Sequence, residues 1–138
     1  VNLSGTGYAK ASLEVGDLSC TTITATDNLT IDSLVVDSNT GTTLTTTSET
    51  ELDSFTASSF RSAKYLLQAT QGSNYHTTKI LAVHDGSTVS HTEFATLVIG
   101  SPLATYTTDI NSGNVRLLVT PSSNSSTAFK TKFTMIKV

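Results

Sequence analysis

The chain changes character near Ser54, and this change limits what each half can build. Residues 1–54 hold eight of the eleven acidic residues, one basic residue (Lys10) and one aromatic residue (Tyr8). Residues 55–138 hold the other seven Lys and Arg residues, only three acids and eight Phe or Tyr residues. Because large apolar side chains build cores, the second half alone is rich enough to pack one by itself. The opposite charges of the two halves favour packing between them.

Composition narrows the class of protein. The chain is rich in Thr and Ser and poor in runs of helix-forming residues, which predicts an all-β fold. A net charge of −3 gives no basic field for a nucleic-acid partner. No apolar run approaches the roughly 18 residues of a membrane span, so we expect no membrane insertion. The single cysteine, Cys20, has no internal disulfide partner. Because the chain begins with Val1 and not Met, we expect that it is processed or that further residues precede it.

Residues 1–54 are predicted to form an extended β stem or docking arm. Aliphatic residues recur between turn-forming Gly-Asp, Asp-Asn and Asp-Ser-Asn steps, which is typical of short strands with one apolar face. One such ribbon buries too little apolar area to offset the entropy lost on ordering, so we expect it to assemble with identical chains, the second domain or another protein. The alternative is a flexible linker, most plainly over the polar run 38–54. The predicted assembly face consists of Leu13, Val15, Leu18, Ile23, Leu29, Ile31, Leu34 and Val36.

Residues 55–138 are predicted to form an antiparallel β-sandwich head, jelly-roll-like in its strand spacing. Strands are expected over 60–70, 75–84, 88–99, 105–110, 115–120 and 128–138. Asp85-Gly86 is a strong tight-turn signal between the second and third of these. The predicted core comprises Phe60, Tyr65, Leu67, Ile80, Leu81, Val83, Phe94, Leu97, Ile99, Ile110, Leu117, Val119, Phe129, Phe133 and Ile136.

No pattern in the chain predicts a catalytic, metal or cofactor site. His76, His84 and His91 lie in one hairpin region, but a turn at Asp85-Gly86 separates His84 from His91 by about 13 Å, given a rise near 3.3 Å per residue. Glu93 and Asp109 are the one pair of carboxylates to consider for glycoside hydrolysis. We therefore expect no metal and no cofactor.

Two tyrosines in polar surroundings are candidates for facing a ligand. Tyr75 follows Asn74, and Tyr106 lies between two threonines. Aromatic faces stack on sugar rings when they are exposed, whereas most aromatic residues in a β-sandwich pack in its core or at its rim. Asn74, Tyr75 and Tyr106 are therefore candidate glycan contacts, with burial in the core as the alternative.

Several stretches resemble a β-rich C-terminal module of virion structural proteins of tailed bacteriophages, notably cyanophages. They are Phe60-Arg-Ser-Ala-Lys-Tyr-Leu-Leu-Gln, Ile80-Leu-Ala-Val-His-Asp-Gly, His91-Thr-Glu-Phe-Ala-Thr and Asp109-Ile-Asn-Ser-Gly-Asn-Val-Arg-Leu-Leu-Val-Thr-Pro. Upstream, residues 16–31 resemble the Asn-Leu-Thr-Val-type repeats of phage fibre stems, in which three chains commonly wind together. The resemblance implies a stem joined to a head and a homotrimer, and it brings no catalytic residue.

The leading hypothesis is a non-enzymatic virion component exposed on the tail or the capsid: a fibre, a spike or a capsid-surface decoration subunit. Its partners would be identical chains and other virion proteins. A second hypothesis is a receptor-binding module that contacts host-surface glycan. A third is a polysaccharide hydrolase, which requires Glu93 and Asp109 to lie within the roughly 5–9.5 Å of paired catalytic carboxylates.

Overall fold

The structure of the chain, a computed structural model, describes residues 29–31 and 34–138, with side chains from residue 41 onward. This part of the chain contains strands and turns, and no helix in it is long and apolar enough to cross a membrane. The strands are β1 (Leu29–Ile31), β2 (Leu34–Leu44), β3 (Thr50–Thr56), β4 (Phe60–Gln71), β5 (Asn74–His84), β6 (Val89–Ile99), β7 (Ala104–Asn111), β8 (Asn114–Pro121) and β9 (Thr127–Lys137).

The strands form two antiparallel sheets that pack face to face. The six-stranded sheet has the order β1-β2-β9-β4-β5-β6, and the three-stranded sheet has the order β3-β8-β7. Every strand pair is antiparallel. The predicted all-β, antiparallel fold class is confirmed.

The six strands predicted in residues 55–138 correspond to β4–β9, with ends that differ by at most one residue. The predicted turn at Asp85-Gly86 joins β5 to β6. Its geometry is fixed by the Asp85 carboxylate, whose Oδ1 accepts the N–H groups of Ser87 at 2.8 Å and Thr88 at 2.7 Å. These hydrogen bonds to the charged form hold the pKa of Asp85 at about 2.

The predicted boundary at residue 54 is not a boundary between the sheets. β2 pairs with β9, and β3 pairs with β8, so residues 34–56 belong to the same two sheets as the rest of the chain. Leu52 and Phe55 of β3 are buried in the core. The run 38–54, for which a linker was the alternative, contains most of β2 and β3.

The core lies between the sheets and follows the two-residue period of the strands. In β4, Tyr65 and Leu67 point inward, and Lys64 and Leu66 point outward. Opposite them, the three-stranded sheet contributes Leu117 and Val119 of β8. Of the predicted core, Tyr65, Leu67, Ile80, Leu117, Val119, Phe129 and Phe133 are buried, and Phe60 and Ile110 pack against them.

Six predicted core residues are exposed, and the prediction was wrong for each: Leu81, Val83, Phe94, Leu97, Ile99 and Ile136. Leu81 and Val83 alternate along β5 with buried Ile80 and Ala82, so they lie on the outer face. Ile136 alternates in the same way with Met135 of β9. The other three lie on β6 opposite residues 79, 77 and 75 of β5, which alternate with buried neighbours, so they too lie on the outer face. β6 is also an edge strand, and its residues from Ser90 to Ile99 are all exposed.

Candidate functional site

Asn74 and Tyr75 begin β5, and the two side chains have different surroundings. Tyr75 is 46% exposed and pairs with Ile99 at the end of β6. Asn74 packs on the backbone of Gly100, since a Cβ atom placed at Gly100 would lie 1.9 Å from Asn74 Oδ1. The Tyr75 ring is therefore accessible to a ligand, whereas the Asn74 side chain is held against the neighbouring turn.

Tyr106, the third predicted ligand contact, is buried, and this prediction is corrected. Its side chain alternates with those of the exposed Thr105 and Thr107 along β7 and points into the sandwich, where it is only 6% exposed. The ring lies 6.1 Å from the ring of His76, measured between centroids. Burial raises the pKa of Tyr106, and the negative charge of Glu93 raises it further. A ring in this position cannot stack on a sugar.

The three histidines have three separate roles. His76 is buried, and its Nδ1 accepts the backbone N–H of Leu103 at 3.3 Å. His84 is buried, and its Nε2 donates to the carbonyl oxygen of Phe60 at 2.6 Å, because a carbonyl can only accept. His91 is exposed and contacts Thr108 Oγ1 through Nδ1 at 2.7 Å. In the part of the chain that the structure describes, no three His, Cys, Asp or Glu side chains cluster as metal ligands.

Glu93 lies on β6 of the six-stranded sheet, and Asp109 lies on β7 of the three-stranded sheet. Glu93 pairs with the inward-pointing Ile80 and accepts a hydrogen bond from Thr96 Oγ1 at 3.3 Å. Asp109 binds the Arg116 guanidinium through both carboxylate oxygens on the outer face, with Arg116 Nε 2.7 Å from Oδ1. The Arg116 hydrogen bonds lower the pKa of Asp109. Each carboxylate therefore has its own hydrogen-bond partner, Thr96 for Glu93 and Arg116 for Asp109, and the pairing considered for a hydrolase stays a prediction.

A surface that the sequence prediction missed covers the outer face of the six-stranded sheet. Strand register places its side chains in rows across β9, β4, β5 and β6. One row is Lys132, Leu66, Lys79 and Phe94; the next is Thr134, Lys64, Leu81 and Thr92; the third is Ile136, Ser62, Val83 and Ser90. We call these three rows the outer sheet face.

Large apolar side chains and lysines alternate on the outer sheet face. Leu66, Leu81 and Ile136 are 45%, 48% and 54% exposed. Lys64, Lys79 and Lys132 surround Leu66 and line a shallow depression of about 240 Å³. A second depression of about 350 Å³ lies between Leu81, Val83 and Ser90. Among the described residues, ion pairs form only at Arg116 on the other sheet, so these three lysines have no acidic partner there.

The run of consecutive apolar residues in β5 was the sequence signal that could have predicted this surface. Ile80, Leu81, Ala82 and Val83 are consecutive in one strand, so they cannot all face one core. What the sequence does not show is which of the two faces a second sheet covers.

The structure describes only part of the predicted assembly face. Leu29 pairs with Val36 and Ile31 with Leu34 between β1 and β2, and Leu34 lies opposite Ile136 of β9. Leu13, Val15, Leu18 and Ile23 lie outside the described residues.

No protein-family model matches the chain, and no curated protein matches it. Among solved structures, it is similar to the tailspike protein of Acinetobacter baumannii phage AM24, with 9% identity, a TM-score of 0.49 and 77% of this chain covered. It is also similar to the tailspike protein of Acinetobacter phage vB_ApiP_P1, with 16% identity, a TM-score of 0.47 and 93% covered. The match spans 26% of each tailspike chain. The cyanophage origin and the capsid-surface location stay predictions.

Proposed function

We propose that this chain is a structural subunit of a bacteriophage tail, a fibre or spike component that assembles with identical copies, as a homotrimer, through its N-terminal segment. The observation that carries the proposal is the outer sheet face. Leu66, Leu81 and Ile136 are each about half exposed on a single face of the six-stranded sheet. Monomeric soluble proteins rarely expose a large contiguous apolar patch, so a face of this kind indicates a surface that a partner covers.

The resemblance of residues 60–121 to the virion module supports the assignment to a phage particle. It does not rest on the outer sheet face alone, because its motifs also include buried and turn residues such as Tyr65, Asp85 and Leu117. An assembly subunit needs strand-forming residues and a surface for self-association, and it needs no convergent polar site.

The oligomeric state of the full chain tests the proposal. At micromolar concentration, size-exclusion chromatography with light scattering is expected to give three times the chain mass of 14.5 kDa. Leu81→Asp, which places a charge in the middle of the outer sheet face, is expected to reduce the trimer, whereas Thr105→Asp on the outer face of the other sheet leaves it unchanged. A monodisperse monomer for the unmodified chain would overturn the proposal.

A second candidate function, binding of host-surface glycan, is favoured by one observation. The ring of Tyr75 is 46% exposed, beside Ile99 at the end of the edge strand. A glycan array probed with the full chain is expected to show binding that Tyr75→Ala abolishes and Tyr75→Phe retains. An array without signal at millimolar sensitivity would contradict this function and leave the assembly proposal intact.

A further inference from the structure

We propose that residues 1–28 of a second copy of this chain cover the outer sheet face. This inference rests on the proposed function, because it names the partner of the surface on which that function depends. The face combines two properties that a partner must match: half-exposed aliphatic side chains and three lysines without acidic partners in the described part of the chain.

Charge disfavours the simplest symmetric contact. If two copies placed their outer sheet faces against each other, Lys64, Lys79 and Lys132 of one copy would face the same three lysines of the other. Juxtaposed like charges oppose association. A contact that joins this face to a different part of the neighbouring chain, which is a head-to-tail interface, avoids this repulsion.

The N-terminal segment matches the face in both respects. Residues 1–28 contain Glu14, Asp17 and Asp27 against a single lysine, Lys10. Between and beside these acids lie the aliphatic residues Leu13, Val15, Leu18 and Ile23. The outer face of the three-stranded sheet is a poorer match, since its acids Glu49, Glu51 and Asp109 lie among threonines and already have partners. Glu51 and Asp109 bind Arg116, and Glu49 accepts a hydrogen bond from Thr107.

The segment is long enough to cover the face. An extended chain of 28 residues reaches about 90 Å, whereas the four strands of the face span roughly 15–20 Å. Within one copy, the segment joins β1, and only β2 lies between β1 and the face. The neighbouring copy is named as the donor because the proposed function requires contacts between identical chains.

The lone native cysteine makes this contact testable, because Cys20 lies within the segment. One chain keeps Cys20. A second chain of different tag length carries Cys20→Ser with Leu66→Cys, so that each chain has one thiol. After co-expression and treatment with a short bis-maleimide, a product with the summed mass of both chains can form only between copies. Cys20→Ser with Thr105→Cys, on the exposed outer face of the other sheet, is the matched control.

The proposal predicts that the Leu66→Cys pair cross-links several-fold more than the Thr105→Cys pair. Equal yields would overturn it. So would a chain with Cys20 and Leu66→Cys together that cross-links only within itself. An oligomer in which Leu66→Cys stays freely reactive, as expected if the lysines serve an acidic glycan, would overturn this inference and leave the proposed function standing. A monomeric chain would overturn both this inference and the proposed function.

Discussion

At the scale of single residues, the contact between Asn74 and Gly100 is a steric constraint on the start of β5. Gly100 has φ +83, and a Cβ atom there would also lie 2.9 Å from Asn74 Cγ. Gly113 has nearly the same φ, +80, but nothing within 4 Å of its Cβ position. Comparing the same substitution at the two glycines therefore separates the free-energy cost of positive φ from the cost of the clash with Asn74.

Both Gly100→Ala and Gly113→Ala are expected to lose about 1–2 kcal/mol of unfolding free energy, because an L-residue is strained at positive φ. Gly100→Ala is expected to lose about 1 kcal/mol more, since Asn74 must leave its rotamer. Urea denaturation measures both losses. Adding Asn74→Ala to Gly100→Ala should bring the loss down to that of Gly113→Ala, and equal losses for the two single variants would contradict the contact.

The Asp85 turn predicts a defined pH dependence. The folded-state pKa is about 2, below the ordinary value of 3.8, so the charged carboxylate stabilises the fold above about pH 4, and this stabilisation is lost as the pH falls toward 2. Asp85→Asn keeps an acceptor oxygen but does not titrate. The Tm difference between wild type and Asp85→Asn is expected to favour wild type at pH 7 and to vanish near pH 2. A difference that is constant down to pH 2 would be inconsistent with a lowered pKa.

At the scale of strands and loops, Gln71 ties the loop after β8 to the end of β4. Its Nε2 donates to Ser123 Oγ at 2.9 Å and to Thr127 Oγ1 at 2.7 Å. Gln68, three residues earlier, makes one long contact of 3.5 Å to Thr70 and is exposed. The two glutamines form a matched pair in the same strand.

Gln71→Ala is expected to lose about 1–2 kcal/mol of unfolding free energy, at about 1 kcal/mol for each hydrogen bond, and to speed amide exchange over residues 122–126. Gln68→Ala is expected to stay within about 0.5 kcal/mol of wild type. Hydrogen exchange with mass spectrometry, together with urea denaturation, measures both effects. Unchanged exchange in the loop after Gln71→Ala would show that other contacts hold it.

The elements also show what the sequence can predict. Strands β4–β9 follow from alternation and turn residues, because Asp85-Gly86 and Asn111-Ser112-Gly113 are local signals. The buried face of each strand was harder to predict than the strand itself. Leu81 is as apolar as Ile80, and burial depends on which strands the second sheet covers. β3 was missed because Leu52 and Phe55 sit in a Thr- and Ser-rich run whose pairing with β8 spans more than 50 residues of sequence.

At the scale of the whole molecule, charge on the outer sheet face is expected to govern self-association. Lys64→Ala, Lys79→Ala and Lys132→Ala together change the net charge by −3. Ser54→Glu, Thr56→Glu and Thr105→Glu, at exposed positions on β3 and β7 of the other sheet, change it by the same amount. At roughly 0.2–1 kcal/mol for each exposed ion pair, the lysine variant is expected to raise the dissociation constant about tenfold. Analytical ultracentrifugation over a dilution series measures this. Equal weakening by both variants would assign the effect to net charge alone.

The central claim is that this chain is a tail subunit whose N-terminal segment joins identical copies. Cryo-electron microscopy of the phage particle that contains the chain, with density for residues 13–36 traced to its neighbours, tests this claim most directly. The account predicts that this segment contacts identical chains within a tail fibre or spike. Density that places residues 13–36 alone against a different protein, or that places the chain on the capsid surface, would contradict it.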